Sequence, residues 1–198
     1  MRPLAANGRG DAILVIDVLS DYRFEGGDVL WRRFVPCIAP LARLLERARN
    51  ADVPVVYAND NFGRWRSSLN DVGRRIAQAN PRAWRALEPL HPRPQDYVVL
   101  KPRHSAFYCT PLELLLEALD VGRLVLAGVS ATSCIWLTGA DAHVRGYDVI
   151  VPRDAVAAPS RGLVESVLEL MRQSLGARTP QARGVRLEHA RRRRRPPG

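Results

Sequence analysis

Lysine is nearly absent from this chain of 198 residues. Of its thirty Lys and Arg residues, twenty-nine are Arg, and Lys101 is the only lysine. A chain that has exchanged Lys for Arg wherever a solvated charge suffices points to Lys101 as a place where a guanidinium does not serve, because the two cations differ when buried or catalytic. Cysteine is scarce as well. Cys37, Cys109 and Cys134 form no CxxC pair and cannot all be bridged, which excludes a disulfide scaffold and suits free thiols in a reducing compartment, at most one of them reactive. No apolar run approaches the ~20 residues that a membrane-spanning helix needs, and Met1 to Gly10 lacks the apolar stretch of a signal peptide. No membrane partner and a cytoplasmic location are the expectations. The four histidines, His91, His104, His143 and His189, show no metal-ligand spacing and read as surface or packing residues. No internal repeat is present, which excludes a solenoid.

What is abundant is positive charge, +10 in all, and a pI near 10.6 raises the question of nucleic acid. The charge is concentrated at one end: nine Arg face one Glu from Arg172 to Gly198, whereas residues 1 to 171 carry 21 cations and 19 carboxylates. The run Arg191 to Arg195 can grip phosphates without sequence preference, but nothing in the body suits groove reading. Nucleic acid is therefore not expected as a partner beyond a weak contact through the tail, which would vanish on removing residues 190 to 198. With 46% hydrophobic and 25% charged residues, the expected organisation is a flexible N-terminus (1–10), one globular domain (11–188) and a disordered Arg-rich tail (189–198).

Periodicity gives strands alternating with helices. Asp11–Asp17 and Val53–Asn59 are short apolar runs of the kind buried on both faces of a sheet; residues 96–101, Arg123–Val129 and 147–151 are three more, and a weak sixth strand is expected at Gly184–Leu187. Helices are expected over Trp31–Asn50, from Thr110 with Pro111 at the first helical position, over Cys134–Arg145, and after a Ser160 cap with Leu163, Val164, Val167, Leu168 and Met171 on one face. Crossover connections of that length imply a mostly parallel sheet covered on both faces, a three-layer α-β-α sandwich that binds its ligand at the carboxyl ends of its strands.

Three of those ends carry unusual chemistry. The first strand ends in Asp17, the third in Lys101, and the fourth leads through Ser130-Ala-Thr-Ser to Cys134 at a helix start. Each has an ordinary alternative: Asp17 capping a turn, Lys101 snorkelling, Cys134 an inert buried thiol. Together they fit a reaction in which a thiolate, favoured by a helix N-terminus and a cation, attacks a carbonyl. Asp17 would carry the proton and Lys101 would hold Asp17 and offset charge. Backbone N–H groups near Ser130 and Cys134 could form an oxyanion hole.

The segments ILVIDVLSDYRF (13–24), VVYANDNFGRWRS (55–67), VVLKPRHSAFYCTPLELLL (98–116) and LVLAGVSATSCIWLTGADAHVRGYDVIVPRDAVAA (124–158) resemble the isochorismatase-like cysteine hydrolases, which include nicotinamidases and N-carbamoylsarcosine amidohydrolases. The resemblance covers most of residues 11 to 175. It implies a six-stranded parallel sheet of Rossmann-like type, an Asp17–Lys101–Cys134 triad, a non-proline cis peptide between Val129 and Ser130, and oxyanion donors at the amides of Ser130 and Cys134. It also implies assembly as a homodimer or homotetramer acting on a small-molecule substrate.

Departures from the family narrow this. Nicotinamidases carry an Asp-x-His pair and a further His for a metal after the second strand, where this chain reads Asn59-Asp60-Asn61-Phe62-Gly63-Arg64-Trp65. With Phe62 in the first His position, no metal and no other cofactor is expected, since such sites want three or more N, O or S ligands. Isochorismatases proper lack the cysteine, so covalent chemistry on an amide, imide or ureido group is the favoured reading. Leu19 stands where relatives often have Gln. Asn59, Asp60, Trp65 and Phe107 are candidate pocket residues, with loop capping or core packing as the plain alternative. Two rival readings remain: a binding or scaffold protein that keeps the fold without turnover, and a vinyl-ether hydrolase of isochorismatase type.

Overall fold

The computed structural model describes residues 10–66 and 68–189. The N-terminal segment 1–9 and the arginine run 191–195 lie outside the described residues. A six-stranded, wholly parallel sheet is formed by β1 (Gly10–Ile16), β2 (Val55–Asp60), β3 (Tyr97–Lys101), β4 (Val121–Val129), β5 (Asp148–Ile150) and β6 (Val156–Ala157), in the order β3-β2-β1-β4-β5 with β6 pairing β4. The chain turns back in direction of travel between β1 and β4, which places the switch point, and with it the crevice for a ligand, at the carboxyl ends of those two strands.

β1 shows why the run reads as continuously apolar: all seven residues are buried, with Ile13 and Val15 in one core cluster and Ala12, Leu14 and Ile16 in the other. The first cluster lies under α1 (Gly27–Asn50), which contributes Phe34, Leu41, Leu44 and Leu45, and takes in Val72 and Ile76 of α2 (Leu69–Ala79). The second lies under α4 (Leu112–Ala118), α5 (Trp136–Val144) and α6 (Arg161–Leu175), with Leu112, Leu116, Ala142, Leu168 and Met171. A short helix α3 (Pro81–Ala86) follows α2, started by Asn80, whose side chain accepts from the Ala83 N–H at 3.1 Å. No helix among the described residues is long and apolar enough to cross a membrane.

Three expectations are corrected. The sixth strand is Val156–Ala157, not Gly184–Leu187; that stretch contains the end of a 3-10 turn (Ala182–Gly184) and packs Val185 under α1 without joining the sheet. A two-residue strand carries no period, so the sequence pattern had nothing to offer at 156–157. The first helix starts at Gly27, four residues before the apolar period becomes visible at Trp31. Of the expected apolar face of α6, Leu163 is 43% exposed and only Leu168 and Met171 are fully buried.

Gly128 is the one glycine whose geometry shapes the crevice. It has φ +118, and a Cβ there would run into the carbonyl of Ile16 on β1. The close approach of β4 to β1 at this level is possible only without a side chain.

Candidate active site

Asp17 directly follows β1 in the left-handed region, φ 51, a conformation Asp tolerates better than most residues. Its own N–H still continues the ladder to the Ala58 carbonyl at 3.1 Å, while its carboxylate is turned toward the sheet edge. There Oδ1 accepts the Asp60 N–H at 2.8 Å and Oδ2 lies 2.7 Å from Lys101 Nζ. Lys101 closes β3 opposite Asp60 and is fully buried. Its ammonium also donates to the Arg103 carbonyl at 3.1 Å and lies 3.7 Å from Cys134 Sγ. A compact ammonium thus spends its donors in three directions inside a closed space, which a planar guanidinium could not do.

Cys134 reaches the same point from β4. After Val129 the Val129–Ser130 peptide is cis, and Ala131–Ile135 form a single π turn in which the Ile135 N–H bonds the Ser130 carbonyl at 3.1 Å. Such wide turns recur at functional sites because they displace one residue from the regular spiral; here that turn carries Cys134. Its Sγ has Ser133 Oγ at 3.8 Å and His104 Nδ1 at 3.7 Å.

The electrostatics differ from expectation in sign. The thiol is not depressed: burial, and then the nearby Asp17 carboxylate, push it up to about 12 despite Lys101. Burial likewise raises the Asp17 carboxyl above its ordinary value, although Lys101 pulls the other way. Burial also works against the Lys101 ammonium, but Asp17 and then Cys134 more than offset this and its pKa is raised. The resting arrangement is a neutral thiol beside a carboxylate–ammonium pair, and Asp17 is a stronger base than an exposed carboxylate.

Asp17 and Cys134 line a cavity of about 360 Å³ whose walls include Asn59, Asp60 and Ser130, with Lys101 buried behind them. Asn59 is committed to structure: its amide both accepts from the Leu19 N–H and donates to the Leu19 carbonyl, each at 3.1 Å, and pins Leu19 as an apolar wall. Asp60 lines the cavity and accepts from the Phe62 N–H.

Two expected pocket residues are elsewhere. Trp65 is 80% exposed. Asp60 and Asn61 each cap the backbone two residues on, and Phe62 and Gly63 both take positive φ, so the chain turns sharply after β2. That turn puts Phe62 on the cavity wall and leaves Trp65 outside it. Phe107 is 5% exposed and belongs to the core beside Tyr147, with the Arg145 guanidinium 4.8 Å over its ring. The neighbouring Ala106 N–H is tied to Thr138 on α5 at 3.0 Å, which aims this loop at the outer layer.

The cavity also holds residues outside the expected set. His104, expected at the surface or in packing, faces the thiol; its position three residues past Lys101, in a loop leaving the same strand end, is the signal in the sequence. Tyr22, Phe24 and Leu30 add an aromatic and aliphatic wall from the β1–α1 connection. Among the described residues no three His, Cys, Asp or Glu side chains are grouped to hold a metal ion.

The isochorismatase-domain family profile matches residues 11–182. The chain is 32% identical over 157 residues to the maleamate amidohydrolase of Pseudomonas putida, covering 75% of this chain and 73% of that protein. It is 30% identical over 166 residues to the isochorismatase family protein YaaI of Bacillus subtilis, covering 84% and 91%. Among solved structures, the N-carbamoylsarcosine amidase from Thermoplasma acidophilum superposes with a TM-score of 0.68 at 25% identity, covering 89% of this chain and 98% of that one.

Proposed function

The chain belongs to the isochorismatase family, and from that premise we propose that it is a cysteine hydrolase cleaving the C–N bond of an amide, imide or ureido group in a small molecule. The relatives named as amidohydrolase and amidase support hydrolysis at non-peptide C–N bonds. The observation that carries the reading is the contact of buried Lys101 with both Asp17 and Cys134, which line one cavity.

The geometry supports the following sequence. Cys134 Sγ attacks the carbonyl carbon as its proton passes to Asp17, so no standing thiolate is needed and a thiol held near 12 is no obstacle. The oxyanion is received by the amides of Ser130 and Cys134. Collapse breaks the C–N bond, and Asp17 returns the proton to the departing nitrogen. Asp17 then takes a proton from water as the water attacks the thioester, and passes it to the sulfur as the C–S bond breaks, which releases the acid and restores both the thiol and the carboxylate. Lys101 stays charged throughout, holding Asp17 and compensating the negative charge that develops beside it. The residues after β2 do not fit a metal: Asp60 is a single carboxylate with Phe62 beside it, and no step runs through a metal. A cytoplasmic homodimer or homotetramer is the assembly in keeping with this reading.

The test is loss of turnover on a panel of nicotinamide, carbamoyl and ureido compounds. Cys134→Ala should lower kcat/KM on any substrate by about 10³-fold or more, and Asp17→Asn by roughly 10²- to 10⁴-fold. Turnover that survives both substitutions would refute the proposal, and a folded protein that turns over nothing and takes up no acyl group would favour the scaffold reading.

A further inference from the structure

No arginine among the described residues lines the cavity, although the Arg75 guanidinium stacks 4.3 Å over the ring of Phe62 on its wall. The charged groups at its floor and walls are Asp17, Asp60 and, from beneath, Lys101. Lys101 is committed to Asp17 at 2.7 Å, so that pair is neutral as a unit. Asp60 is left in excess: its carboxylate accepts a backbone N–H from Phe62, no Lys or Arg among the described residues forms a salt bridge with it, and Lys101, already held by Asp17, acts on it only at a distance. Ser20, Asn59, His104, Ser130 and Ser133 add neutral polar groups, and the remaining walls are apolar. Leu19, Tyr22 and Leu30 are buried, while Phe24 and Phe62 stand at the cavity 54% and 39% exposed. At about 360 Å³ the space is at the small end of ligand cavities.

A substrate carboxylate entering this space would find no guanidinium fork, the group best suited to receive it. It would instead meet the Asp60 carboxylate and, during reaction, the oxyanion, in a recess where water screens them less than in bulk. An uncharged apolar group would cover Leu19, Leu30 and the aromatic rings at no such cost. Resting on the reading of Cys134 as nucleophile, we propose that this site takes a neutral carboxamide or ureide with a small apolar body and rejects amides that carry a carboxylate. Maleamate, an amide of the rejected kind, would then be a poor substrate for this chain.

Matched electrophiles test this without knowledge of the substrate. Iodoacetamide and iodoacetate are close in size and differ in charge, and the exposed Cys109 serves as a reference thiol in the same molecule. At pH 8, above the ordinary imidazole range, the rate of alkylation of each cysteine is read by peptide mass spectrometry. The expected result is an amide-to-acid rate ratio at Cys134 about tenfold or more above that at Cys109, falling severalfold in Asp60→Asn. A ratio at Cys134 equal to or below that at Cys109 in the wild-type protein would overturn the proposal, whatever the fate of the variant. If neither reagent labels Cys134 even on prolonged exposure at pH 10, while both label Cys109, the nucleophile itself is misassigned, and this inference falls with it.

Discussion

Lys101 Nζ sits 2.7 Å from Asp17 Oδ2 and 3.7 Å from Cys134 Sγ, so one buried ammonium touches both the base and the nucleophile of the proposed reaction. Replacing it by Arg keeps the charge but forces a larger planar group into a fully buried place. Lys101→Arg should therefore lose activity about as completely as Lys101→Met, measured as kcat/KM. Rescue by Arg would mean that charge alone matters there.

Lys101→Met should also change the pH dependence of stability. Without the ammonium, the Asp17 carboxyl, already raised by burial, rises further. A carboxyl whose folded pKa lies above its unfolded value contributes stability that is fully present below the unfolded value and lost as pH climbs through the folded one. The variant should thus be least stable relative to wild type at pH 8, by about 3 kcal/mol, and should approach wild type as pH falls toward 4. Urea unfolding at the two pH values reads this directly; an equal deficit at both would argue against the buried pair.

Because Asp17 must be ionised to accept the thiol proton, turnover should rise with pH through an acid limb displaced upward from the ordinary carboxylate value of 3.8. Burial of Cys134, held near 12, predicts in turn that its alkylation rate keeps rising beyond pH 10. A rate that levelled near pH 8 to 9 would indicate an ordinary thiol, and one already flat at neutral pH a preformed thiolate.

Trp65 and Phe107 separate surface from core. Trp65→Ala should leave kcat/KM unchanged and stability within about 0.5 kcal/mol, since Trp65 is 80% exposed and outside the cavity. Phe107→Ala should cost about 3 kcal/mol in chemical unfolding without a selective rise in KM. Gly128→Ala should cost about 2 to 4 kcal/mol, because it combines a positive φ with a collision against the Ile16 carbonyl.

These contrasts also mark what the sequence could convey. β1 was legible because a strand buried on both faces needs an unbroken apolar run, and Lys101 stood out because the chain has no other lysine. Asp17 and Cys134 were found because strand ends and helix starts can be located from periodicity and because the motifs resemble a known family. Phe107 and Trp65 were misplaced because residue type says an aromatic will pack, but not on which side of a loop. That depends on the Thr138 bond that aims the Ala106 turn and on the tight turn after Asp60. The sign of the Cys134 shift was equally out of reach, since helix position and a neighbouring cation are visible in one dimension while burial and the distance to Asp17 are not.

The central claim is that Cys134 is acylated during turnover. The direct measurement is intact-mass and peptide analysis after an acid quench of the protein mixed with a neutral activated ester that acts as a poor substrate. One acyl group on Cys134, sensitive to hydroxylamine and absent from Cys134→Ala, is the predicted result, with Cys37 unlabelled because its buried thiol donates to the Val156 carbonyl and lies outside the cavity that holds Asp17. Acylation of Cys37 or Cys109 with Cys134 untouched would contradict the account.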